Sequence, residues 1–154
     1  MNTSDMKAFE EGDILVGATL LNNPDDDHAG PGRIIQFDSD LNLKGTLWTD
    51  NTTHLVGGLK FDSNKDLWAF DSQNCSAIKV NASGEQSDQA DFGDRSFSNV
   101  NFLSNGEILL GEHLTGDESN NKALEGPRKL GTVLPFMPGT ERYGDGNIYK
   151  YSQD

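Results

Sequence analysis

The three histidines of the chain each sit beside carboxylates or amides in turn-like sequence. His28 closes the run Pro24-Asp25-Asp26-Asp27-His28, His54 follows Asp50 and Asn51, and His113 follows Glu112. Imidazole titrates near neutrality and a neighbouring carboxylate orients it. Such residues can therefore hold a divalent cation such as Ca2+ or Zn2+, or work as an acid/base pair. His28, His54, His113, Asp50, Asn51 and Glu112 are the candidates for a ligand-facing set, with Asp25, Asp27 and His28 as its candidate metal ligands. The opposing reading is that polar residues gather in loops because loops are wet. For Asp25 to Asp27 that reading is favoured, because the ligand rhythm and distal glutamate of an EF-hand loop are missing.

Other reactive groups are scarce. Cys75 is the only cysteine, which excludes an intrachain disulfide; it stands where a strand begins and reads as a packing thiol. No Gly-x-Ser-x-Gly elbow, P-loop, zinc-spaced Cys/His set or dinucleotide fingerprint occurs. The formal net charge of -13, from 25 acidic and 12 basic residues, repels phosphate backbones and anionic lipid, so neither nucleic acid nor a membrane surface is expected as a partner. The opening MNTSDMKAFEEGD has no basic segment followed by an apolar run, and the default expectation is a soluble cytoplasmic protein.

The elements that must position these residues are short strands. Only 34% of residues are hydrophobic, while Gly, Asn, Asp and Ser are plentiful, a composition suited to many strands joined by turns. From His54 to Glu85, apolar residues alternate with polar ones in three runs separated by turn residues, a β-meander. The alternation predicts that Leu59, Phe61, Leu67, Ala69, Ile78 and Val80 are buried and that Lys60, Asp66 and Lys79 are wetter. Trp48 and Trp68 fall on strands, where core or inter-sheet packing is the default.

This meander repeats. Asp13, Asp66 and Glu107 each open a second strand: Ile14-Leu15-Val16, Leu67-Trp68-Ala69 and Ile108-Leu109-Leu110. Third strands align at Arg33 to Asp38, Ser76 to Asn81 and Asn147 to Ser152. First strands are expected near Lys7 to Phe9, Gly58 to Phe61 and Asn99 to Leu103, with fourth strands near Lys44 to Thr49 and Gln89 to Phe92. The acidic markers are spaced by about the length of a four-stranded blade. The expected fold is all-β: propeller-like repeats of four-stranded antiparallel meanders in an incomplete ring, a single partial domain over 1–154 with units 5–50, 53–93 and 96–154.

Gly57-Gly58-Leu59-Lys60-Phe61-Asp62, Asp66-Leu67-Trp68-Ala69-Phe70-Asp71, and Asn74 with Ile78-Lys79-Val80 ending at Gly84 resemble the blades of six-bladed propellers of the NHL and SMP-30/gluconolactonase type. That resemblance implies about two and three-quarter blades. It also implies that His28, His54 and His113 emerge on one face, opposite the turns at Ser63-Asn64 and Ala82-Ser83-Gly84. Metal-dependent lactonases of that type carry an asparagine ligand in the opening of a first strand. Gly57 and Ser98 stand at those positions here, and glycine offers no ligating side chain.

The expected function is accordingly a binding scaffold that presents a loop-rich acidic face to a small molecule or protein. The alternative is a fragment of a metal-dependent lactonase or hydrolase. Three units cannot close a ring, so an apolar face is expected at each end, with Ile148, Tyr149 and Tyr151 near one of them. The ring would be completed by the remainder of a longer chain or by a homo-oligomer.

Overall fold

A computed structural model describes residues 3–20, 30–52, 58–71, 74–92, 97–112 and 148–152, and among them there is no helix. The described strands form three antiparallel sheets. The first contains β1 (Thr3–Ser4), β2 (Ile14–Thr19), β3 (Gly32–Phe37) and β4 (Leu43–Trp48), in the order β1-β4-β3-β2. The second is a plain meander of β5 (Leu59–Phe61), β6 (Leu67–Asp71), β7 (Ser76–Val80) and β8 (Gln86–Asp91). The third holds β9 (Phe97–Phe102), β10 (Ile108–Glu112) and β11 (Ile148–Tyr151), with β11 at its edge.

One local rule builds one end of every sheet. The hairpins at 38–42, 62–66, 81–85 and 103–107 share a pattern in which the first residue of the turn donates its amide to the fifth residue's carbonyl and accepts the fourth residue's amide. The fourth position is left-handed in each: Leu41 (φ 66), Lys65 (φ 67), Gly84 (φ 81) and Gly106 (φ 87). In the first three turns an Asx side chain opens the loop, and Asp38, Asp62 and Asn81 each accept two backbone amides through one oxygen. A short polar side chain that mimics the backbone two residues on is what makes Asp and Asn strong turn formers.

The register is equally repetitive. Ile14 lies opposite Phe37, Leu67 opposite Val80, and Ile108 opposite Tyr151. These pairings make the strands of the three sheets equivalent residue by residue, as the matched sequences predict. Alternation then sends neighbours to opposite faces. In the second sheet, Leu67, Ala69, Ile78 and Val80 face the first sheet and join Ile34, Leu47 and Met6 in one apolar cluster. Phe70 and Ala77 face the other way, where they meet Phe97, Ile108 and Leu110 in a second cluster rimmed by Trp68, Phe92 and Tyr149. The second sheet is thus covered on both sides, which explains why β6 reads as a nearly continuous apolar run.

Three expectations require correction. Lys7 to Phe9 form no strand: among the described residues none pairs beyond β2, and the amino-terminal strand is β1, paired with β4 at the opposite edge. From there residues 5–9 run as a strap between the first two sheets. Met6 is buried in the first cluster, the Lys7 amide donates to Gln36 Oε1, and the Phe9 amide donates to the Ala82 carbonyl. Phe61, expected in the core, is 42% exposed. It lies opposite Leu67, but it ends the short edge strand β5, where the Phe9 ring meets it edge-on at 5.1 Å. Tyr149 packs inward on the second cluster, so the open side of the third sheet carries Ile148 without it.

Candidate functional site

At the opposite ends, the stretches between successive described strands differ in length. They cover 20–31, 49–58, 72–75, 92–96 and 113–147, against five residues in every hairpin at the first end. His28, His54, His113, Asp25 and Asp27 lie outside the described residues. Glu112 ends β10, its backbone paired with Phe97 across a register shift.

Asp50 and Asn51 are described, and they join sheets. The Asp50 amide donates to Gln86 Oε1 at 2.9 Å, and Gln86 Nε2 returns a bond to the Asp50 carbonyl at 3.3 Å. Asn51, left-handed at φ 57, donates through Nδ2 to Gln89 Oε1 and accepts Asn74 Nδ2 at its carbonyl. The hydroxyls of Thr49 and Thr52, both buried, share a hydrogen bond beside this latch. A chain leaving the first sheet is thereby held against β8 and the β6–β7 turn of the second.

That turn is itself a buried polar feature. Asp71 and Ser76 face each other across the strands, and both are buried. Asp71 Oδ1 accepts the Asn74 amide at 3.0 Å. Cys75 is buried in a left-handed conformation (φ 50), and its carbonyl accepts the Phe92 amide. The Ser76 hydroxyl is buried and makes no hydrogen bond to a described residue.

A second group of polar residues was not legible as a group. Each acidic residue that opens a second strand grips the polar residue at one equivalent third-strand position. Asp13 accepts Gln36 Nε2 at 2.7 Å, Asp66 pairs with Lys79 at 3.0 Å, and Glu107 pairs with Lys150 at 2.7 Å. In the first sheet, where glutamine replaces the lysine, Lys44 supplies the charge and bonds both Asp13 and Glu10. In the second sheet Asp62 adds a bond from Trp68 Nε1 at 3.0 Å, and Lys79 lies 5.6 Å from the Trp68 ring. The signal was present, since both residues of each pair recur in the aligned repeats; only register showed that they touch.

These contacts shift titrations. Burial is the largest influence on Asp13 and acts to raise its pKa, but bonds from Lys44, the Glu10 amide and Gln36, with the attraction of Lys44, hold it below the ordinary 3.8. Hydrogen bonds from Asn42 lower Asp38, and hydrogen bonds from Lys150 and Asn105 lower Glu107. Lys44 is raised chiefly by its hydrogen bond to Asp13, and Lys79 chiefly by its bond to Asp66. For Asp13, Glu107, Lys44 and Lys79 these shifts come with an opposite charge in contact; for Asp38 the shift comes chiefly from the neutral Asn42.

Among the described residues no three His, Cys, Asp or Glu side chains gather as a metal-binding group, and no helix is long and apolar enough to cross a membrane. Comparison with protein-family models, with curated proteins and with solved structures finds no match. The described chain is an all-β protein of stacked, blade-like antiparallel meanders.

Proposed function

We propose that this chain is a propeller-type binding scaffold that receives a small molecule or a protein segment at the end opposite its five-residue hairpins. The observation that supports this reading is the asymmetry of the two ends. One is built from hairpins of a single length and hydrogen-bond pattern; the other carries connections of very different lengths. Variable loops mounted on a rigid sheet scaffold are the usual way a fold acquires a binding surface without altering its core. His28, His54, His113, Asp25 and Asp27 fall in these connections by sequence, and Glu112 ends the strand before one of them.

The second reading, a metal-dependent lactonase or hydrolase, rests on the same histidines and carboxylates and on the resemblance of the central blade. One set of measurements separates the two. The chain is titrated with calcium, zinc and manganese while its thermal midpoint is followed, and a simple aliphatic lactone is then offered with each metal. A scaffold releases no acid above the uncatalysed rate. It binds members of a peptide and glycan array, and that binding is lost when 113–147 is replaced by a five-residue hairpin. Lactone hydrolysis that follows metal concentration and stops on chelation would overturn the scaffold reading.

A further inference from the structure

We propose that two copies of this chain join head to tail into one closed ring, each covering the sheet face that the other leaves open. The inference does not depend on what the end opposite the five-residue hairpins binds.

The register identifies which faces are complementary. Ile14 and Val16 of the first sheet are equivalent to Leu67 and Ala69 of the second and to Ile108 and Leu110 of the third. In the second and third sheets those positions face the preceding sheet and are buried, at 6% exposure or less. In the first sheet, which no other described sheet precedes, Ile14 and Val16 are each 40% exposed. The other end mirrors this. Ile148 of the third sheet is equivalent to Ile34 and Ala77, both at 0% where they meet the next sheet, yet Ile148 is 75% exposed.

The described sheets therefore present two unlike apolar faces, and each is the counterpart of a face already buried between them. The interface needed is a third repetition of the one that stacks its own sheets, so a second copy of the chain is the occupant that fits. The first sheet's open face also carries Arg33, which lies over Trp48 and whose Nε is buried without a hydrogen-bond partner among the described residues. The third sheet's open face offers Asn99 and Asn101, exposed side chains that can accept from it.

A head-to-tail contact repeats until it closes or grows without limit. Propellers close with about four to eight blades. The three sheets of the described residues are fewer than that, and two copies bring six of them together. Closure also removes the exposed apolar surface that would otherwise invite aggregation.

Sedimentation velocity on the whole chain tests this. The expected mass is twice the 16.8 kDa of one chain. Val16→Lys on one face and Ile148→Lys on the other should each halve that mass. Circular dichroism should remain that of a β protein, because both side chains are already exposed within one copy. Ser63→Lys, in a hairpin away from both faces, should leave the mass unchanged. A monomeric wild type, a mass that grows continuously with concentration, or a dimer indifferent to both face substitutions would each overturn the proposal.

Discussion

The ammonium of Lys79 lies 3.0 Å from the carboxylate of Asp66, across the pair of strands that the carboxylate opens. Lys150 and Glu107 repeat the relationship one sheet further on. The Lys79 and Asp66 side chains are about a quarter exposed, so solvent screens the pair and its contribution is modest. Asp66→Asn should lower stability by about 0.5–1 kcal/mol in urea denaturation. Asp62, whose side chain is nearly fully buried, accepts Trp68 Nε1 and two turn amides. Removing a buried acceptor strands its donors, so Asp62→Ala should cost about 2–3 kcal/mol. Equal costs at the two positions would show that charge pairing, not turn closure, dominates this corner.

Leu41 and Lys65 occupy left-handed positions that Gly84 and Gly106 fill in the sister hairpins. A side chain in that region clashes with its own backbone, and glycine does not. Lys65→Gly should therefore raise the unfolding free energy by up to about 1 kcal/mol despite the added freedom of the unfolded chain. A loss of stability would mean that the Lys65 side chain has a packing role that offsets its strain.

The amino-terminal strap crosses two sheets where there is room for no side chain. A Cβ at Gly45 would stand 2.5 Å from the Asp5 carbonyl oxygen and 2.6 Å from Met6 Cα, and one at Gly84 would stand 2.6 Å from Met6 Cβ. Gly45→Ala should cost about 1–3 kcal/mol through overpacking and open residues 3–9 to limited proteolysis. Met6→Ala should cost about 2–4 kcal/mol by leaving a cavity in the first cluster. Protection of the strap in Gly45→Ala would contradict this account.

Stability should fall at both extremes of pH, for opposite reasons. Asp13, Asp38 and Glu107 have folded pKa values below their ordinary 3.8, 3.8 and 4.5. The unfolded chain binds their protons first, so their contribution is complete above those values and is lost as pH falls through the lower folded ones. Lys44 and Lys79 are raised above 10.5. Their contribution is complete below 10.5 and is lost as pH rises through the folded values. Chemical denaturation across pH should show a plateau between these limits, and Lys79→Met should shrink the alkaline loss. An alkaline limb unchanged in Lys79→Met would remove the ion pairs as its cause.

Local physics made much of the fold legible. Period-two alternation marked the strands, and Asp38, Asp62 and Asn81 announced hairpins that need nothing beyond their own five residues to close. Repeated spacing aligned Asp13, Asp66 and Glu107, and the buried faces of β6 and β7 followed. The candidate site was legible only as residue types in loops, since His28, His54 and His113 act together or apart according to connections with no repeated local pattern. What tertiary structure decided were the non-local matters. Residues 5–9 have alternation enough for a strand, but they run between two sheets because Gly45 and Gly84 leave a channel and Met6 gains a buried seat there. Phe61 has the right period and yet stays half in water because it ends a short edge strand. The sequence by itself determined which side of each strand is apolar; only the stacking of sheets decided which of those sides is covered, because burial requires a partner surface that no single segment contains.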